Sequence, residues 1–386
     1  MLSQFKRLPV IILLAIIPVL AVWAPFFFNA KGVLGVPIPT GGMGTIVQNY
    51  DGPLYIVVAK TFYNPELIKQ NFSFDLPVEY YAAHFPMFPL LIRLVSLTGL
   101  WYPYSMLVLT VFTSIIALWF FYKYAYDFVS KENALWLTAV FALFPARWLI
   151  VRSVGSPEPL FLASIVASIY YFQHKKYWLA GIFGAIAQLT KSPGILLFVA
   201  YGAAVSLPAL KHAASTSIQK LFDRFEFKSY PLLLIPFALI AVFFIYQNRL
   251  GDFFAYFNSG DNMHLFFPPF QIFNYAQDWV NTHWLEEIIF VYMFGAFGFL
   301  QLLKQKRFTL ASFMGIFFAV TIFISHRDLL RYSLPMVPFI IIAFEKVIGS
   351  REFRYVYAFL VLPIYLFTLA YISQNHMQIS DWAPLL

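Results

Sequence analysis

The chain reads as an all-α, polytopic membrane protein of about eleven transmembrane helices with long loops on one face. Of its 386 residues, 61% are hydrophobic and only 11% are charged. Soluble domains carry about 45–50% apolar and about 25% charged residues, so a water-soluble globule is excluded. Apolar runs long enough to cross about 30 Å of hydrocarbon recur along the whole sequence. Cysteine is absent, which removes disulfide scaffolds, thiol catalysis, zinc ribbons and iron–sulfur clusters together.

The first span, Leu8 to Phe28, follows Lys6 and Arg7 and has no small-residue cleavage site before Lys31, so it is expected to be a retained anchor rather than a signal peptide. Further apolar windows lie near 103–122, 133–151, 158–173, 177–190, 193–208, 231–248, 285–303, 308–325, 331–348 and 355–372. The stretch Phe85 to Leu100 is short, contains Pro86, Pro89 and Arg93, and is read as juxtamembrane or re-entrant. Within 1–386, read as one domain, two loops are long: the first outer loop, 29–102, with juxtamembrane helices, and the second, 249–284. Asp51 before Gly52-Pro53 marks a helix start, with a helix expected over Pro53 to Lys69.

The net charge of +8 follows membrane orientation rather than nucleic acid. With the N-terminus inside and Phe85 to Leu100 not crossing, 16 of the 26 basic residues fall in inner loops, among them Lys123, Lys131, Lys175, Lys176, Arg307, Lys346, Arg351 and Arg354. The stretch Lys211 to Ser229 is then an inner loop able to lie at the interface. Ten cations stay unexplained by orientation: Lys31, Lys60, Lys69, Arg93, Arg147, Arg152, Lys191, Arg249, Arg327 and Arg331. A charge at a span end needs a partner or must snorkel, which makes these functional candidates.

Three constellations can carry chemistry. Asp51, where the first outer loop leaves the membrane, can take a proton from an acceptor hydroxyl or can cap the following helix. Glu158, in Gly155-Ser156-Pro157-Glu158-Pro159, stands in the first turn of a span, where the helix dipole also favours it. Arg152, Lys191, Arg327 and Arg331 form a cationic set; the last two, four apart on a helix, would share a face and grip one phosphate. Asp328 can neutralise one of them. His84, His264, His283 and His326 show no metal-ligand spacing, and no nucleotide-binding glycine pattern precedes a helix.

The order of motifs resembles the PIG-V-like (GPI mannosyltransferase II-like) mannosyltransferases of the GT-C glycosyltransferase superfamily. Tyr50-Asp51-Gly52-x-x-Tyr55 continuing to Tyr63 is similar to that family's Trp-Asp-Gly motif, with Tyr50 in place of Trp. Phe85-Pro86-x-x-Pro89-Leu90 is similar to its Phe-Phe-Pro-x-x-Pro-Leu segment, Gly155 to Phe161 to its Ser-Glu-Ser-Leu-Phe motif, and Thr190 to Gly194 to its Thr-Arg-x-x-Gly. Arg331-Tyr332-x-Leu334-Pro335 matches an Arg-Tyr-x-x-Pro run near its late spans.

The resemblance implies inverting transfer of a hexose, often mannose, from a polyprenyl- or dolichyl-phosphate donor to a lipid, glycan or protein acceptor on the outer or lumenal face of the bilayer. It implies Asp51 as general base; Glu158 is read beside it as a second catalytic carboxylate, and the cationic set Arg152, Lys191, Arg327 and Arg331 as donor-phosphate ligands. Tyr50, Tyr55, His84, Arg93 and Tyr332 are the matching substrate-positioning candidates. A monophosphate leaving group held by cations requires no cofactor and leaves a divalent metal optional. Short loops point to a prokaryotic plasma membrane before an endoplasmic reticulum membrane. The rival class is a transporter or flippase of an anionic lipid or solute, which would place its polar groups near the midplane.

Overall fold

The computed structural model describes residues 6–210, 227–260, 265–274, 276 and 285–386. The Lys211 to Ser229 loop lies almost wholly outside these residues, as do His264, His283 and the last part of the second outer loop. In chain order the structure comprises α1 (Leu8–Phe27), the strands β1 (Gly32–Val33) and β2 (Val36–Pro37), α2 (Met43–Val47), α3 (Gly52–Thr61), α4 (Pro65–Asn71) and α5 (Met87–Ser96). There follow α6 (Tyr102–Tyr126), α7 (Lys131–Leu143), α8 (Ala146–Ser153), α9 (Glu158–Gln173), α10 (Tyr177–Thr190), α11 (Leu196–Leu210), α12 (Leu234–Leu250) and α13 (Ala255–Asn258). The chain closes with α14 (Glu287–Lys304), α15 (Phe308–Thr321), α16 (Leu329–Tyr332), α17 (Val337–Ala343), α18 (Glu345–Ile348) and α19 (Arg351–Gln374).

Five helices among the described residues are long and apolar enough to cross a bilayer: α1, α6, Lys228–Leu250, α14 and α19. α7 and α8 are long and apolar enough only when taken as a pair, and that pair is bent by 71° at the break between them. The bend falls at Pro145, which has no N–H to continue the ladder. The other five of the eleven expected windows fall on shorter or broken helices. α9, α10 and α15 have 16, 14 and 14 residues, or at most about 24 Å at 1.5 Å per residue. The 331–348 window is divided into α16, a 3₁₀ turn at Leu334–Met336, α17 and α18, with Pro335 and Pro338 removing donors inside it.

α9 packs between α6 and α10, α15 lies on α11 and α14, and α1 runs along α6. Their buried faces form one apolar core that includes Phe121, Phe141, Trp148, Val166 and Phe339. A second core belongs to the first outer loop, which folds back over one end of the bundle. There Tyr55, Tyr63, Tyr81, Phe85 and Phe88 pack with Val22 and Phe26 of α1, Tyr246 of α12 and Ile372 of α19.

That loop departs from the single helix expected over Pro53 to Lys69. α3 ends at Thr61, Phe62 and Tyr63 take left-handed backbone (φ 47° and 63°), and Pro65 opens α4. Asn64 caps the new helix, its side chain accepting from the Glu66 and Leu67 amides at 3.0 Å each. Proline disfavours helical backbone in the residue before it, so the chain breaks there. α5, at 10 residues, spans only about 15 Å, consistent with a segment that does not cross.

The two ends of the bundle carry different polar groups. At one end Lys123 stands 4.5 Å from the Tyr170 ring, Arg307 pairs with Glu345 at 3.6 Å, and Arg354 lies 5.2 Å from the Trp136 ring. All are cations placed in inner loops by the orientation rule. Met106, at the other end of α6, touches the Gly52 and Gly155 backbone beside Asp51 and Glu158. Met106 and Lys123 are separated by about 26 Å along that helix.

Candidate functional site

Asp51 reaches its place through a close approach of two chain segments. A Cβ on Gly52 would lie 2.7 Å from the Val47 carbonyl oxygen and 3.3 Å from that of Gly155, while one on Gly155 would strike the Met106 side chain at 2.2 Å. Glycine at 52 clears the Val47 carbonyl and lets the start of α3 lie close to the 154–157 turn. Asp51 occupies the N-cap position of α3 yet makes no side-chain capping hydrogen bond. The capping role that competes with catalysis in the sequence is therefore not the one its carboxylate performs. Instead, at 29% side-chain exposure, Oδ2 stands 3.5 Å from Arg331 Nη1, longer than the 2.7–2.9 Å of a tight charge-assisted bond.

Glu158 is held in the opposite manner. Its side chain is 2% exposed, and Oε1 accepts from both Lys191 Nζ and Arg331 Nε at 2.7 Å. Ser156 Oγ donates to Oε2. Lys191 is delivered by an extended residue (φ −152°) between α10 and the 3₁₀ turn Ser192–Ile195. A Cβ on Gly194 would lie 2.4 Å from the Gln188 Cα, so that turn folds tightly against α10. Ser192 is hydrogen-bonded to the Tyr256 hydroxyl at 2.8 Å, tying the turn to α13.

Arg331 thus joins the two carboxylates: Nε goes to Glu158, Nη1 faces Asp51, and the guanidinium lies 4.3 Å from the centre of the Tyr50 ring. Nη2 has no protein partner among the described residues. Arg147 joins Tyr50 as well, donating to its hydroxyl at 2.9 Å, pairing with Asp328 at 3.3 Å and stacking 4.0 Å from the Tyr371 ring. Tyr50 has φ 47°, a left-handed conformation that costs a non-glycine residue about 1–3 kcal/mol and gathers at functional sites. Burial, with Asp328 nearby, pushes its hydroxyl well above the usual range, so the phenol stays neutral. Burial likewise pushes the Asp328 carboxyl up, against the pull of Arg147 and Arg331.

Two cavities meet these groups. The larger, about 830 Å³, is lined by Tyr50, Asp51, Arg147, Arg327, Asp328 and Arg331 on one side and by the end of α19 on the other. The smaller, about 50 Å³, is lined by Tyr55, His84, Lys191, Ser192 and Tyr256. Asp51, Arg331 and Tyr332 line both. The larger volume lies within the range of small-ligand sites, about 300–1,000 Å³. Among the described residues no three His, Asp or Glu side chains are arranged to hold a metal ion.

Of the residues singled out in the sequence, Asp51, Glu158, Lys191, Arg331, Tyr50, Tyr55, His84 and Tyr332 converge here. His84 is buried, with its carbonyl accepting from the Tyr63 hydroxyl at 2.5 Å and its ring 4.7 Å from that of Tyr55. Arg327 lines the larger cavity but does not share a helix face with Arg331. α16 begins only at Leu329, so Arg327 stands in the preceding turn, exposed, with no ion pair among the described residues.

Two expected members lie elsewhere. Arg152 is fully buried in the bundle, donating to the Ala142 carbonyl and, at 2.6 Å, to that of Ala15. It satisfies carbonyls near the α7–α8 bend and does not reach either cavity. Arg93 is exposed on α5 and lines neither cavity. Its place is taken by Arg147, one of the ten cations unexplained by orientation, and by Asp328. Tyr371 and the segment after it carry no sequence signal apart from the aromatic abundance of the chain.

No protein-family model matches the chain, and no curated protein sequence matches it. Among solved structures it is similar to the oligosaccharyltransferase of Archaeoglobus fulgidus, crystallised with zinc and sulfate, at 14% identity and a TM-score of 0.48. The match covers 96% of this chain and 54% of that one, so the chain spans about half the length of the enzyme it resembles.

Proposed function

We propose that the chain is a membrane glycosyltransferase of the GT-C type that transfers a hexose from a polyprenyl- or dolichyl-phosphate donor, with Asp51 as general base. The observation that carries this reading is the division of labour around Arg331. One carboxylate is buried and saturated, and a second is half-open at the waist between two cavities, beside a guanidinium with donors to spare.

In the proposed step Asp51 removes the proton of an acceptor hydroxyl, whose oxygen attacks the anomeric carbon from the face opposite the phosphate. The bond between that carbon and the phosphate oxygen breaks through an oxocarbenium-like state, and the electron pair leaves with the polyprenyl phosphate. The leaving group gains a second negative charge, which Arg331, Lys191 and Arg327 are placed to receive. Glu158 fixes the first two cations, so its part is to position them. Single displacement with one base inverts the sugar, and mannose is the hexose that the motif likeness favours. Arg147 and Asp328 hold Tyr50, the residue before the base.

The reading is tested by incubating the purified chain in lipid nanodiscs with labelled polyprenyl-phosphate mannose, glucose or galactose and a panel of lipid, glycan and peptide acceptors. Sugar transfer with inversion is the expected result. Movement of the lipid across proteoliposomes without any transfer product would replace it with the flippase reading.

A further inference from the structure

The larger cavity has a second wall of a different chemical kind. α19 ends at Gln374, and the chain then runs back alongside the segment that leads into Asp51. His376 pairs with Asn49 in an antiparallel bridge, and the Met377 amide donates to the Gln48 carbonyl at 2.9 Å. The Asn49 side chain donates to the Ile372 carbonyl at 2.9 Å. This stretch contributes Gln374, Asn375 and His376 to the cavity, flanked by Phe367 and Tyr371.

The wall is neutral, and part of its side-chain hydrogen-bonding capacity is not spent within the protein. Asn375 Nδ2 and His376 Nδ1, on two residues that line the cavity, are buried with no partner among the described residues. Leaving such a group unpaired costs about 1–3 kcal/mol, and native proteins keep few of them. Two on adjacent residues that line one cavity leave hydrogen-bonding capacity that a rotation of either side chain brings to a ligand. A phosphate is drawn to the cations of the charged wall. Amides, an imidazole and two aromatic rings suit a hydroxyl-rich ring, whose hydroxyls pair with polar groups while its C–H face lies on an aromatic one.

We propose that Gln374, Asn375 and His376 form a subsite for a neutral hexose ring. It takes either the sugar carried by the donor or a sugar of the acceptor. The inference rests on the glycosyl-transfer reading for the identity of its ligand and adds to it a residue set that determines sugar specificity. The bridge from His376 to Asn49 fixes this subsite to the strand of chain that presents the base, so ring and carboxylate keep one register.

The test is saturation-transfer NMR of the full chain in nanodiscs with methyl mannoside, glucoside and galactoside, on the wild type, His376→Ala and Gln374→Ala. The bridge uses backbone groups, so His376→Ala retains it, and Gln374 is exposed, so its truncation leaves the fold intact. Hexoside binding is expected to weaken about tenfold in His376→Ala and a few-fold in Gln374→Ala, while binding of sugar-free polyprenyl phosphate stays unchanged. A raised KM for the donor alone then assigns the subsite to the transferred sugar, and a raised KM for the acceptor alone to the acceptor. Equal hexoside binding in all three proteins, or none in the wild type, overturns the proposal. Weakened hexoside binding in the variants of a chain that transfers no sugar would retain the subsite and remove only the reaction.

Discussion

Glu158 and Asp51 meet the same guanidinium through different nitrogens, yet one is enclosed and the other open. Glu158 sits inside the protein with one oxygen shared by two cations and the second bonded to a serine hydroxyl. Asp51 keeps 29% of its side-chain surface and a single, longer contact. A carboxylate whose lone pairs are taken by buried cations has no room for a substrate proton, whereas one with an open oxygen and a loosely held partner does. Two acids can thus share one arginine and divide its uses, the inner one fixing it and the outer one working beside it.

Breaking the inner half should give the largest effect on the fold. Glu158→Gln leaves Lys191 without its counter-charge and Arg331 with only the longer contact to Asp51, and breaking a buried pair costs about 3–5 kcal/mol. Thermal unfolding in nanodiscs should show a large fall in Tm, and a Tm equal to the wild type would deny Glu158 its anchoring role. Arg331→Ala should follow, weakening donor binding by roughly tenfold or more, since charge-assisted bonds are worth about 1.5–3 kcal/mol. Arg331→Lys should lie between, because the charge survives but the fork that spans both carboxylates does not.

A smaller effect is expected from Arg147→Lys. The ammonium cannot hold Tyr50, Asp328 and the Tyr371 face at once, so transfer should slow several-fold with donor affinity retained, as single-turnover rates would show. At the bottom of the scale, Arg93→Ala and Arg152→Ala separate the two excluded cations. Arg93 is exposed and its loss should change stability by less than about 0.5 kcal/mol. Arg152→Ala should lower Tm through the carbonyls it abandons while leaving donor affinity of the folded fraction unchanged.

Much of this division was legible in the sequence because it depends on composition and on residues whose chemistry is rare in a bilayer. Apolar windows located the helices, and cations that orientation could not explain included Lys191, Arg147 and Arg331. What could not be read was local geometry. Pro65 cut the helix expected over Pro53 to Lys69, and Asp328 started α16 too late for Arg327 and Arg331 to share a face. Arg152 found carbonyls instead of a ligand because a bent helix pair exposes backbone acceptors inside the bundle. The wall after α19 was invisible since neutral residues such as Asn375 and His376 gain meaning only when folding sets them beside Asn49.

The central claim, that Asp51 and not Glu158 handles the proton, is tested most directly by Asp51→Asn. No capping bond from this side chain exists to be lost, and the amide keeps its size. Transfer rate, donor affinity and Tm should be measured on one preparation. The expected result is a rate lower by about 10²–10⁴, with donor affinity and Tm close to the wild type. Full turnover by Asp51→Asn would contradict the account.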